Sequence, residues 1–190
     1  MLEIKTFYCN PFRECTYIVS AQPSSDKEQS CIIIDPGMYE EKEERRVLDY
    51  LTAHKLNLVA ILITHTHPDH ICGQEFIEKH FPNIPVYGFN FTCEPETMVV
   101  EVADLRFRML PTPGHKEDSV CFYFESEGII FTGDTLFQES IGRTDLPGGD
   151  MNVLLQSLAR LKQLPKETVV YPGHGFTTTI EHEIRYNPYL

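Results

Sequence analysis

In the stretch "ILITHTHPDHICG" at residues 61–73, an apolar run gives way to His65, His67, Asp69 and His70 within six positions. Imidazole nitrogens and a carboxylate at this density form a metal-ligating donor set. With no thiolate among them they suit zinc, and iron or manganese is also compatible. His65 and His67 are two apart, so in extended backbone they leave the chain on the same side. Asp69 and His70 follow Pro68, where the chain turns. The bland alternative is a histidine-rich turn making ordinary hydrogen bonds. Three further apolar runs argue against it: "RMLPTPG" leads to His115, "IIFTG" to Asp134 and "VVYPG" to His174, each with a glycine just before the polar residue. His65, His67 and His115 can form one ligand set. Asp69, His70 and His174 can form a second, with Asp134 bridging two divalent ions.

For these side chains to meet, the runs carrying them must end at one edge of a sheet, where a rigid scaffold presents loop residues. "LVAILIT" is continuously apolar, the pattern of a strand covered on both faces. Before it, "LEIKTFY", "CTYIVS" and "SCIIID" read as short strands, the last closed by Pro36-Gly37. Positions 40–55 have helical spacing, with Val47, Leu48 and Leu51 on one stripe, and a short helix is expected over 71–80. Later strands are expected at "IPVYGF", "TMVVEV", "LRFRML", "SVCFYFE" and "GIIFTGD". Asp150 can cap a helix over 151–164, in which Met151, Leu154, Leu155, Leu158 and Leu161 keep helical spacing until Pro165. "TVVYPGHG" supplies a last strand and loop, followed by a helix near 179–185. Strands with interspersed helices predict sheets covered by helices. No linker or low-complexity segment interrupts them, so residues 1–190 are expected to form a single domain.

The formal charge of −12, from 16 Lys and Arg against 28 Asp and Glu, excludes a general nucleic-acid or anionic-membrane surface, which needs basic patches. No apolar stretch is long enough to span a bilayer, and "MLEIKTFYCNPF" lacks the pattern of a signal peptide, so a cytoplasmic protein is expected. Cys9, Cys15, Cys31, Cys72, Cys93 and Cys121 show no C-x-x-C spacing and read as mostly buried, inert thiols rather than a disulfide framework. His54, His80 and His182 have no place in the ligand pattern and read as surface or packing residues.

The segments "THTHPDH", "PTPGH", "FTGD" and "YPGHG", in this order and over this length, resemble the metallo-β-lactamase superfamily. The resemblance implies an α/β fold of the αββα type, two face-to-face β-sheets flanked by helices, with metals at one edge. Within the superfamily the chain is similar to the glyoxalase II group, hydrolases of glutathione thioesters. "SIGRTDLPGGD" at 140–150 and the chain's end soon after "GHG" resemble its short members. The resemblance assigns His65, His67 and His115 to one metal, Asp69, His70 and His174 to the other, and Asp134 to both. It gives Asp35 a supporting role without ligation. It implies hydrolysis of a small-molecule thioester such as S-lactoylglutathione by water activated between two zinc ions, with Asp69 also orienting the nucleophile or taking a proton.

Departures from the family concern the substrate. After His115 the chain reads "HKEDS", so Lys116 could face an anionic group, or be a solvated loop lysine. Arg143 could grip a carboxylate, or pair internally with Asp145. The larger glyoxalase II enzymes hold glutathione with a helical C-terminal domain that this sequence does not contain. Persulfide dioxygenases share the histidine motif, and resemblance to them implies one iron on His65, His115 and Asp134. A catalytically silent metal-binding module is a further alternative, against which stands the full ligand set. Acyl group, thiol, native metal and oligomeric state are not fixed by the sequence.

Overall fold

Alternation of inward and outward side chains builds the fold. It is seen in a computed structural model that describes residues 2–21, 29–88 and 98–190. The first sheet has the order β1 (Leu2–Cys9), β2 (Glu14–Ala21), β3 (Gln29–Ile34), β4 (Leu56–Leu62) and β5 (Val86–Tyr87). Its early pairs are antiparallel, whereas β3–β4 and β4–β5 are parallel and need crossovers. Helix α1 (Glu41–Ala53) supplies the first crossover, and α2 (Pro68–Ile71) with α3 (Gln74–His80) the second. The remaining chain gives β6 (Met98–Val102), β7 (Leu105–Pro111), β8 (Val120–Phe124), β9 (Ile129–Gly133), a small ribbon of β10 (Leu136–Phe137) and β11 (Ser140–Ile141), α4 (Met151–Leu161), β12 (Val169–Pro172), β13 (Thr178–Thr179) and α5 (Ile180–Tyr186). The second sheet runs β13-β12-β9-β8-β7-β6.

Each strand divides its side chains between two layers. Ile32 and Ile34 face the second sheet, where Val19, Leu62, Phe107, Phe122 and Phe131 fill the space between sheets. Cys31 and Ile33 point the other way, against Val47 and Leu51 of α1 and Ile77 of α3. On the outer face of the second sheet, Tyr123, Ile130 and Val170 meet Leu154, Leu158 and Leu161 of α4 and Ile180 of α5. The layers are therefore helix, sheet, sheet, helix. Both faces of the central strands are covered, which is why they read as unbroken apolar runs.

Several expectations shift at their boundaries. The helix expected over 71–80 is two short ones, because Pro68 starts a turn inside the histidine cluster and the chain breaks at Gly73, the N-cap of α3. Asp150 caps α4 as expected, accepting from the amides of Asn152 and Val153, but the helix ends at Leu161. Met151 and Leu155 face solvent, since only one side of α4 meets the sheet. The β10–β11 ribbon was not expected from sequence. Thr97, Phe89 and Cys93, and most of the loop at 21–29, lie outside the described residues. Among the described residues, no helix is long and apolar enough to cross a membrane.

Candidate metal centre

Strand direction brings the polar residues together. β7 and β9 each pair antiparallel with β8, and β12 runs parallel to β9, so these three strands end at one edge. His115, Asp134 and His174 follow their ends. The amide of Val120, at the start of β8, donates to the carbonyl of Thr64 at 2.8 Å, which sets the end of β4 at the same edge. His65 and His67 leave from there, and Asp69 and His70 ride on α2.

All of the expected ligands converge. His65, His67 and His115 offer nitrogens within 4.8 Å of one another, as do the donor atoms of Asp69, His70 and His174. Asp134 stands between them. Its Oδ2 lies 3.5 Å from His115 Nε2, while its Oδ1 lies 3.3 Å from His70 Nε2 and 3.7 Å from His174 Nε2. One carboxylate oxygen therefore faces each set.

Hydrogen bonds behind the rings fix which nitrogens point inward. Nδ1 of His115 donates to the Arg143 carbonyl at 2.7 Å, and Nδ1 of His174 to the Phe12 carbonyl at 3.1 Å. A carbonyl only accepts, so both rings carry their proton on Nδ1 and leave the Nε2 lone pair free. His70 donates from Nδ1 to Asp35 Oδ2 at 3.0 Å. The Thr64 hydroxyl spends its proton on Asp35 Oδ2 at 2.6 Å, so toward His65 Nδ1, 3.1 Å away, it is an acceptor. His67 is the exception, presenting Nδ1 at 3.1 Å from His65 Nε2 and 2.9 Å from His115 Nε2.

This arrangement fits divalent metal. His70 Nε2 and Asp134 Oδ1 are buried 3.3 Å apart without a well-formed hydrogen bond among the described residues, and a cation bound by both would satisfy them. Gly173 keeps the space open: a Cβ there would overlap Asp134 Oδ1 and come 2.7 Å from His70 Cε1. Without metal, burial and the neighbouring histidines hold His65 well below its ordinary pKa, so it stays neutral. Burial opposes charge on His70 as well, but Asp134 and Asp35 outweigh it and raise the ring to about 10. Burial likewise opposes ionisation of Asp69, yet the hydrogen bond from His174 and the charge of His70 bring it to about 2.

Asp35 supports the cluster from below. It sits in the left-handed region at φ 47 and accepts from the Thr64 amide at 2.7 Å as well as from Thr64 Oγ1 and His70. Sequence reading missed Glu14, which is fully buried within reach of Asp35 and His70 and whose burial, with Asp35 nearby, raises its pKa. Nothing in "FRECTY" marks it. The Phe12 and Arg143 carbonyls were also missed, because backbone groups leave no trace in residue type.

Both candidate substrate cations are engaged inside the protein. Lys116 Nζ donates to Thr66 Oγ1 and, at 2.8 Å, to Asp118 Oδ2. Arg143 makes two bonds of 2.7 Å to the carboxylate of Asp145. His54 and His80 bond to carbonyls of their own helices and His182 to Glu139, all apart from the cluster. Burial pushes the thiols of Cys9 and Cys15 up to about 11 and those of Cys31 and Cys121 to about 12, which makes them inert; Cys72 is exposed.

Residues 15–88 and 82–174 match the metallo-beta-lactamase superfamily. A probable metallo-hydrolase of Streptococcus pyogenes is 34% identical over 86% of this chain and 82% of its own length. A hydroxyacylglutathione hydrolase of Francisella tularensis subsp. novicida is 33% identical, covering 92% of this chain and 68% of its own. Among solved structures, BLEG-1 B3 metallo-beta-lactamase superposes with TM-score 0.85 at 31% identity, covering 99% of both chains. TTHA1623 in a di-iron-bound form superposes with TM-score 0.76 at 32% identity, covering 98% of this chain and 100% of its own.

Proposed function

The chain belongs to the metallo-beta-lactamase superfamily, and from that premise we propose that it is a thioester hydrolase working with two divalent metal ions, zinc before iron or manganese. The observation that carries this reading is the pair of ligand sets with one Asp134 oxygen facing each. His65, His67 and His115 would hold one ion, Asp69, His70 and His174 the other. When bound, such ions supply Lewis acidity and lower the pKa of water from 15.7 to about 7. Likeness to a relative named hydroxyacylglutathione hydrolase supports the thioester class.

The chain's own residues set the approach. His65 and His70 are enclosed, whereas His67, Asp69 and His174 are partly exposed, so substrate reaches the cluster across the rim these three share. Water adds to the carbonyl carbon and the C–S bond breaks, giving carboxylate, thiol and one proton. Asp69, ionised and reachable, is placed to orient the attacking water by accepting its hydrogen bond, and with a pKa of about 2 it leaves the proton to solvent.

The test is thiol release from S-lactoylglutathione by zinc-loaded protein with metal content measured. Two metals per chain and release abolished by chelator are expected. One iron per chain with oxygen consumption and no hydrolysis would overturn the reading in favour of the redox alternative. A β-lactam belongs in the same assay, since a metallo-beta-lactamase superposes over 99% of the chain.

A further inference from the structure

Beside the exposed face of Asp69 lies a cavity of about 290 Å³, walled by Pro11, Phe12, Tyr39, Pro68, Cys72 and Asp69 itself. Phe12 and Tyr39 are 72% and 69% exposed, so two aromatic rings stand open to solvent beside the polar cluster. The cavity shares a wall with the metal centre, so whatever fills it is in reach of the reacting atoms.

The walls are held in register before any ligand arrives. Asn10, in the left-handed region at φ 51, donates from Nδ2 to the carbonyls of Gly37 at 2.9 Å and Asp69 at 2.8 Å. Its Oδ1 accepts from the Phe12 amide at 3.0 Å. The Glu43 carboxylate then accepts from the amides of Asn10 and Tyr39, both at 2.8 Å. The turn carrying Phe12, the segment carrying Tyr39 and the helical turn carrying Asp69 thus form one frame.

The lining is mostly apolar and offers nothing to pair with an anionic group. Among the described residues, no Lys or Arg lines the cavity. Lys116 and Arg143 are paired within the protein, and Arg13 lies over the Tyr8 ring, 5.2 Å from its centroid. We propose that this cavity binds an uncharged, apolar group attached to the scissile thioester, an inference that rests on the thioesterase reading. A cavity of about 150 Å³ accommodates benzene, so this one has room for a phenyl group or a chain of roughly six carbons.

Two substrate series distinguish the acyl half from the thiol half as the carrier of that group. In one, glutathione is fixed and the acyl chain runs from acetyl to hexanoyl. In the other, acetyl is fixed and the thiol runs from ethanethiol to hexanethiol, with leaving-group acidity matched. With zinc-loaded full chain, kcat/KM is expected to climb about two- to fourfold per methylene in one series. Phe12→Ala and Tyr39→Ala should each flatten that slope. Flat slopes in both series, with thioesters still cleaved, would overturn the subsite and leave the hydrolase standing. If no thioester is cleaved by metal-bound protein, the hydrolase reading fails, and the subsite is judged by binding alone. There, S-hexylglutathione, an uncleavable thioether, should slow alkylation of Cys72 by iodoacetamide at alkaline pH several-fold more than S-methylglutathione does. Equal rates would overturn it.

Discussion

Replacing Asp35 with asparagine puts an NH2 group where every neighbour is already a donor. Asp35 Oδ1 accepts from the Thr64 amide at 2.7 Å, and Oδ2 accepts from Thr64 Oγ1 at 2.6 Å and His70 Nδ1 at 3.0 Å. If the amide nitrogen takes the Oδ1 position, the buried Thr64 amide faces a donor and goes unpaired. If it takes the Oδ2 position, His70 must move its proton to Nε2, the nitrogen that lies 3.3 Å from Asp134 Oδ1, and that lone pair is lost to the metal site. Either orientation loses a hydrogen bond to a charged group, about 1.5–3 kcal/mol, and leaves a buried donor unsatisfied, about 1–3 kcal/mol. A stability loss near 3 kcal/mol should lower the metal-free Tm by about 6–12 °C. Partners of metal-ligating histidines affect affinity by about 10–100-fold, equivalent to about 1.4–2.7 kcal/mol. Circular dichroism would establish folding and melting of Asp35→Asn, and competition against a zinc-binding dye its affinity. Affinity and Tm both indistinguishable from wild type would refute the argument that Asp35 fixes the His70 tautomer.

Asp134→Ala removes both oxygens that separate the ligand sets, so metal content by elemental analysis should fall to one ion or none and turnover by at least about 100-fold, with the circular dichroism spectrum retained. Gly173→Ala drives a Cβ into Asp134 Oδ1, and zinc affinity by dye competition should drop at least about tenfold. Gly128→Ala is the contrast: its φ of 65 costs the alanine strain, but nothing lies within 4 Å of the new carbon, and affinity should not change. Phe122→Ala empties the space between the sheets. It should cost about 3–5 kcal/mol and, by calorimetry, at least about 6 °C in Tm.

The candidate ligands were legible because each is a distinctive side chain at the end of an apolar run, and sheet direction did the rest. The αββα layering was legible for the same reason: runs such as "CIII" and "AILI" need cover on both faces, which two sheets with outer helices provide. Boundaries were less so. Short-range choices at Pro68 and Gly73 split an expected helix, and Met151 and Leu155 look like core residues by spacing yet face water. What the sequence hid is contact made by backbone or across long separations. Phe12 reaches His174 through its carbonyl, and Glu14 meets Asp35 only once β2 and β3 have paired. The cavity beside Asp69 draws its walls from three separate turns, and its aromatic pair, Phe12 and Tyr39, carries no motif.

The candidate ligands come from both sheets. His65, His67, Asp69 and His70 follow a strand of the first, while His115, Asp134 and His174 follow strands of the second. Metal held by this set would act as a rivet through the rim of the sandwich, tying the two sheets together there. Free metal at about 1,000 times its dissociation constant adds about 4.1 kcal/mol against unfolding. The metal centre would then double as a clasp of the fold, and metal-free protein should be the more readily cleaved by protease.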